Sequence, residues 1–119
     1  MTERVVIVEG VRTPIGRFGG TLKNVSSGFL AAHVITALLN KTGVHPEQVE
    51  EVILGEVRQT TESSNVARVA AIRAKLPVEV PAFTINRLCA SGMQAIASGV
   101  QQIQSGHAQI VIAGGTESM

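Results

Sequence analysis

The stretch Phe83-Thr-Ile-Asn-Arg-Leu-Cys89-Ala-Ser-Gly-Met93 decides the fold, because one kind of element ends inside it and another begins. Ala82 to Ile85 reads as a short strand, and a tight connection follows near Asn86. A helix rich in small residues then runs from about Ala90 to Ser105, with Gly106 as its stop. Cys89 therefore falls at a strand-to-helix junction. A helix N-terminus presents unpaired N–H groups and the positive end of the helix dipole. That setting favours a thiolate over a thiol, and the same N–H groups can receive the oxyanion formed when sulfur attacks a carbonyl. Ala90 and Gly92 leave space for a substrate to approach the backbone. A lone cysteine among apolar residues is, however, more often an inert, buried, small hydrophobe. The residues by themselves leave both readings open.

Working outward, strands and helices alternate. Val5 to Val8 is a β-branched run that reads as a strand buried on both faces. Arg12 to Gly20 is too rich in Gly and Pro for regular structure. Ser26 and Ser27 offer N-caps to a helix reaching about Lys41, with apolar Leu30, Ala31, Val34, Ile35, Leu38 and Leu39 on one side and Gly43 as its stop. Pro46 begins a short helical turn, Val52 to Leu54 form a second strand, and Ser64 or Asn65 caps a helix to about Lys75. Ile110 to Ala113 is the last of four expected strands, apolar on both faces, with only six residues after it. The pattern predicts an α/β fold with a largely parallel sheet and right-handed crossovers. A doubly covered strand so near the end of the chain suggests an incomplete domain over residues 1–119.

Composition narrows the function classes. The chain has 119 residues, 45% apolar and 16% charged, and a formal net charge of +1. Its ten basic residues are scattered, which gives no stripe for a phosphate backbone, so no nucleic-acid partner is expected. No run approaches the length of about 18 to 20 residues needed to span a bilayer, and no secretory signal is read at the start. A single cysteine leaves no internal disulfide and no zinc cluster, so no metal is expected, and the cytoplasm is the expected compartment. With three Phe, no Trp or Tyr and 12 Gly, the core must gain its stability from close approach of backbones.

Other residues have plainer readings. Gly16 to Gly20 has the look of a phosphate loop but lacks the required Gly-Lys-Ser/Thr spacing, and is expected to be structural. Arg87 stands two residues before Cys89, where it is read mainly as facing solvent or a neighbouring subunit. Arg68, Arg73 and Lys75 are read as the solvated face of their helix. His33, His45 and His107 read as surface or capping residues.

The segment Asn86 to Met93 is similar to the acyl-enzyme cysteine motif of thiolases. "RTPIGRFGG" at Arg12 to Gly20, "NVARVAA" at Asn65 to Ala71 and "AGGTESM" at Ala113 to Met119 agree with that family in order and spacing. The resemblance covers the whole chain. It implies a thiolase-like α/β fold, of which the incomplete first half would be present, with a mixed, mostly parallel sheet and helices on both faces. It implies acyl transfer between coenzyme A thioesters: thiolytic cleavage of a 3-ketoacyl-CoA, or condensation of two acetyl-CoA, through an acyl group on Cys89. Coenzyme A and acyl-CoA would be substrates, with no permanently bound cofactor, and the expected full-length assembly is a homo-oligomer, dimer or tetramer. The family also uses a histidine and a second cysteine in motifs further along than this chain reaches, so the 119-residue chain alone is expected to be inactive. The resemblance gives Glu117 no catalytic role. Residues Glu56 to Asn65 lack the family's usual Gly-containing loop, and Val66 stands where proline is common. Two alternatives remain at this point: a ketoacyl synthase-like condensing enzyme, and a non-catalytic thiolase-derived binding module.

Overall fold

The computed structural model describes residues 4–119. The first helix, α1 (Ser27–Thr42), starts where Ser26 Oγ accepts the Phe29 N–H at 3.2 Å, and stops at Gly43, whose φ of 73° is natural for glycine. A 3-10 turn over Pro46–Gln48 leads into strand β1 (Glu51–Gly55). Helix α2 (Val66–Arg73), strand β2 (Ala82–Ile85), helix α3 (Ser91–Gln104) and strand β3 (Val111–Gly115) complete the order.

The three strands form one parallel sheet in the order β2-β1-β3, with Ile53 aligned to Phe83 on one side and to Ala113 on the other. The β1-to-β2 and β2-to-β3 connections run in opposite directions across it. Right-handed crossovers therefore place α2 and α3 on opposite faces. Side chains sort accordingly. Val52, Leu54 and Ile112 join Ala31, Ile35, Val66 and Ala70 in one core under α1 and α2. Glu51 and Gly55 face α3: the Gln102 side chain donates to Glu51 Oε2 at 2.6 Å, and the start of α3 lies against Gly55. An added Cβ at Gly99 would sit 3.2 Å from Val111 Cγ1. Helix and sheet thus approach as closely as the small-residue composition requires, so the α/β class and its parallel sheet are as expected.

Two expectations fail at the level of single elements. Val5 to Val8 forms no strand and pairs with none of the three, and Val6, Ile7 and Val8 are 65–81% exposed. A β-branched run becomes a strand only beside a neighbour that accepts its backbone hydrogen bonds, and here none reaches it. The expected doubly covered strand near Ile110 is an edge strand, mostly half-buried, with Ile112 its buried residue. Helix α2 also ends slightly early, because Lys75 takes a left-handed φ of 63°. Among the described residues no helix is long and apolar enough to cross a membrane.

Candidate active site

The chain leaves β2 at Ile85 and must turn sharply to start α3 six residues later. Leu88 makes the turn at φ 50°, a left-handed conformation that costs a leucine on the order of 1–2 kcal/mol. Local hydrogen bonds hold it there. Asn86 Oδ1 accepts the Leu88 N–H at 3.0 Å, Ser91 Oγ accepts the Arg87 N–H at 2.8 Å, and the Ser91 hydroxyl donates to Leu88 O at 2.6 Å. Cys89 follows the strained residue directly and is a free, exposed thiol. Ala90, the cap position of α3, offers no side-chain bond to the helix; the Ser91 N–H donates to Leu88 O at 3.0 Å, and the Gly92 and Met93 N–H groups are left for another acceptor.

Cys89 lies in the wall of a cavity of about 330 Å³ outside the carboxyl ends of the strands, where open α/β sheets place their ligands. The segment after β1 contributes Glu56 and Val57, the turn after β2 contributes Leu88 and Cys89, and the segment after β3 contributes Thr116 and Glu117. Two glycines let these parts meet. A Cβ on Gly55 would be 2.5 Å from the Ser91 carbonyl carbon, and one on Gly115 would be 3.3 Å from Gly55 O. Thr116 completes the staple: its N–H donates to Gly55 O at 3.0 Å and its hydroxyl to Ser27 O at 2.8 Å. A larger depression of about 450 Å³, between residues 11–18, α1 and residues 115–119, does not include Cys89.

The two acidic residues of the cavity wall differ in state. Glu117 accepts the Val57 N–H at 2.8 Å and the Arg58 N–H at 3.0 Å, so it holds the 56–58 segment in place. Glu56 is 4% exposed, and neither of its carboxyl oxygens has a hydrogen-bond partner among the described residues. Burial raises its carboxyl above the ordinary value; the nearby Ser27 hydroxyl offsets part of this, without reaching hydrogen-bond geometry, and the Glu117 charge adds to it.

The residues read as peripheral stay outside the cavity. His33, His45 and His107 are exposed, and none lines it; His107 Nδ1 lies 2.7 Å from Ser105 Oγ. Arg87 is exposed and donates to the Gln94 side chain on α3. Arg68 is not merely solvated, since it donates to Val80 O at 3.0 Å and Val78 O at 3.1 Å. Arg73 pairs with Glu62 at 2.6 Å. The turn 16–20 is structural in that the Gly19 N–H donates to Met119 O at 3.1 Å. Sequence reasoning missed Asn86, Ser91 and Glu56. An Asn two residues before a turn residue is a recognisable Asx-turn signal, whereas nothing local marks Glu56 as buried.

An exposed thiol thus stands on a strained strand-to-helix turn, beside a cavity at the strand ends of a parallel α/β sheet. Residues 5–119 match the family described as "Thiolase, N-terminal domain". The acetyl-CoA acetyltransferase of Syntrophomonas wolfei is 49% identical over 119 residues, covering 100% of this chain and 30% of that protein. That of Cupriavidus necator is 50% identical over 115 residues, 97% of this chain and 29% of its own. The crystal structure of the Bacillus anthracis acetyl-CoA acetyltransferase superposes with a TM-score of 0.85 at 50% identity, covering 88% of this chain and 27% of that one. The chain belongs to the thiolase family. It spans about 30% of the length of the curated relatives it matches.

Proposed function

We propose that this chain carries the acyl-accepting half of a thiolase site, with Cys89 as the nucleophile in acyl transfer between coenzyme A thioesters. The observation that carries the reading is the setting of Cys89: exposed, on a strained turn at the uncapped start of α3, beside a cavity at the strand ends. In the forward step the Cys89 sulfur attacks the thioester carbonyl, the bond from that carbon to the coenzyme A sulfur breaks, and coenzyme A leaves with a proton as its thiol. The Gly92 and Met93 N–H groups in the first turn of α3 are suited to the oxyanion of the tetrahedral intermediate. Acetyl-CoA is the favoured donor because the relatives from S. wolfei and C. necator are named acetyl-CoA acetyltransferases. A full-length form would work as a dimer or tetramer in the cytoplasm, without a resident cofactor or metal.

Complete turnover needs a base for the thiol and a second thiol for proton movement at the α-carbon. Neither is supplied by the exposed histidines or by a chain with one cysteine. The 119-residue chain alone is therefore expected to accept an acyl group slowly and to turn over nothing. The test is release of free coenzyme A from acetyl-CoA by the purified chain. The expected trace rises to at most one equivalent per chain and stops, and Cys89→Ser lacks it. Continuous cleavage of acetoacetyl-CoA by the homogeneous chain would contradict the inactive reading. A burst retained in Cys89→Ser would contradict the assignment of the nucleophile.

A further inference from the structure

A buried carboxyl group needs hydrogen-bond partners if it is charged, and a proton if it has none. Glu56 is buried with both oxygens unpartnered, and the groups that face it are the Ser27 hydroxyl from α1 and the Glu117 carboxylate from the segment after β3. The ion pairs among the described residues, Lys41 with Glu9 and Arg73 with Glu62, involve neither acid. Glu117 is fully engaged, through both oxygens, by the N–H groups of the two residues that follow Glu56. A negative charge on Glu56 would therefore repel the anchor that holds its own segment.

That segment is tied to the cysteine turn. Asn86 Nδ2 donates to Val57 O at 3.1 Å, while Asn86 Oδ1 accepts the Leu88 N–H at 3.0 Å. A displacement at Val57 thus reaches Leu88, the residue that sets the direction of Cys89, through one side chain. We propose that Glu56 is a positioning residue for Cys89: as the neutral acid it lets residues 56–58 stay docked on Glu117, and its ionisation undocks them and loosens the cysteine turn. The proton passes to solvent, and no bond other than O–H is broken. The consequence for acyl transfer rests on the proposed role of Cys89, but the coupling itself does not. The upward push that burial and the Glu117 charge give the Glu56 carboxyl agrees with this arrangement and places the change above the ordinary glutamate value of 4.5.

The experiment is a pH titration of backbone amide shifts in the purified chain, with the rate of Cys89 alkylation, corrected for thiolate fraction, followed over the same range. The amides of Val57, Arg58 and Leu88 are expected to shift together with one midpoint above that of exposed glutamates. Corrected alkylation should fall severalfold across the same step, and Glu56→Gln should remove the step from both readouts. Asn86→Ala should leave the Val57 and Arg58 titrations in place and uncouple Leu88. Flat amide shifts in the wild-type chain would overturn the proposal whether or not either variant folds. So would a Val57 and Arg58 step that never reaches Leu88 or the thiol. Failure of Cys89 to accept acetyl from acetyl-CoA, with the titration step intact, would count against the proposed function and leave this coupling standing.

Discussion

At the residue scale, the turn that carries Cys89 is held by a few polar side chains against the strain at Leu88. Asn86 makes two of those bonds, one within the turn and one to Val57. Its replacement by alanine is expected to destabilise the chain by about 1–2 kcal/mol, since a net hydrogen bond contributes roughly 1 kcal/mol. Urea unfolding checks this, and an unchanged midpoint would mean that the turn is held otherwise. Glu56 gives a prediction with a sign. Its folded-state carboxyl lies above its unfolded value, so the folded chain holds the proton more tightly. The contribution to stability is fully present at acid pH and is lost as pH rises from the ordinary value of 4.5 through the raised folded value. Glu56→Gln keeps the neutral shape, and should flatten that part of the stability-against-pH curve and leave the variant the more stable chain at neutral pH.

At the element scale, the meeting of β1 with the head of α3 allows no side chain at position 55. A methyl on Gly55 would stand 2.5 Å from backbone carbon of Ser91, which cannot yield as a flexible side chain would. Gly55→Ala is expected to cost about 1–3 kcal/mol, as overpacking does, and to change Cys89 alkylation, because α3 must move. Asn65 is the second element-scale test. It caps α2 through the Arg68 N–H, accepts the Thr84 hydroxyl at 2.7 Å and donates to Ala82 O at 3.0 Å, so it fastens α2 to β2. Asn65→Ala should lower stability by about 1–2 kcal/mol in thermal or urea unfolding. These caps were legible because their signals are local: Ser26, Gly43 and Asn65 each sit beside the pattern they end or begin. Val5 to Val8 was misjudged because apolar, β-branched composition is local while a strand's partner is not. The junction at Cys89 was legible for the same reason as the caps. Asn86 offered an Asx-turn signal, but the bracing by Ser91 was not legible, since it depends on a left-handed leucine that nothing in its side chain announces. Glu56 escaped notice because a charged residue at a strand end reads as solvated until the fold closes over it.

At the scale of the whole molecule, a well-packed core under α1 and α2 stands beside several large apolar side chains left in solvent. Val6, Ile7, Val8, Ile15, Phe18 and Phe29 are each at least 60% exposed. The purified chain is expected to associate as its concentration rises, and Ile7→Ser with Phe18→Ser should lower the association seen by sedimentation velocity. A monomer at all concentrations would mean that these exposed side chains do not drive association. The central claim, that this chain presents Cys89 as the acyl acceptor, is tested most directly by peptide mapping after incubation with acetyl-CoA. The account predicts one acetyl group on the peptide containing Cys89, removable by added coenzyme A. Acetyl found only on lysines, with Cys89 unmodified and still open to alkylation, would contradict it.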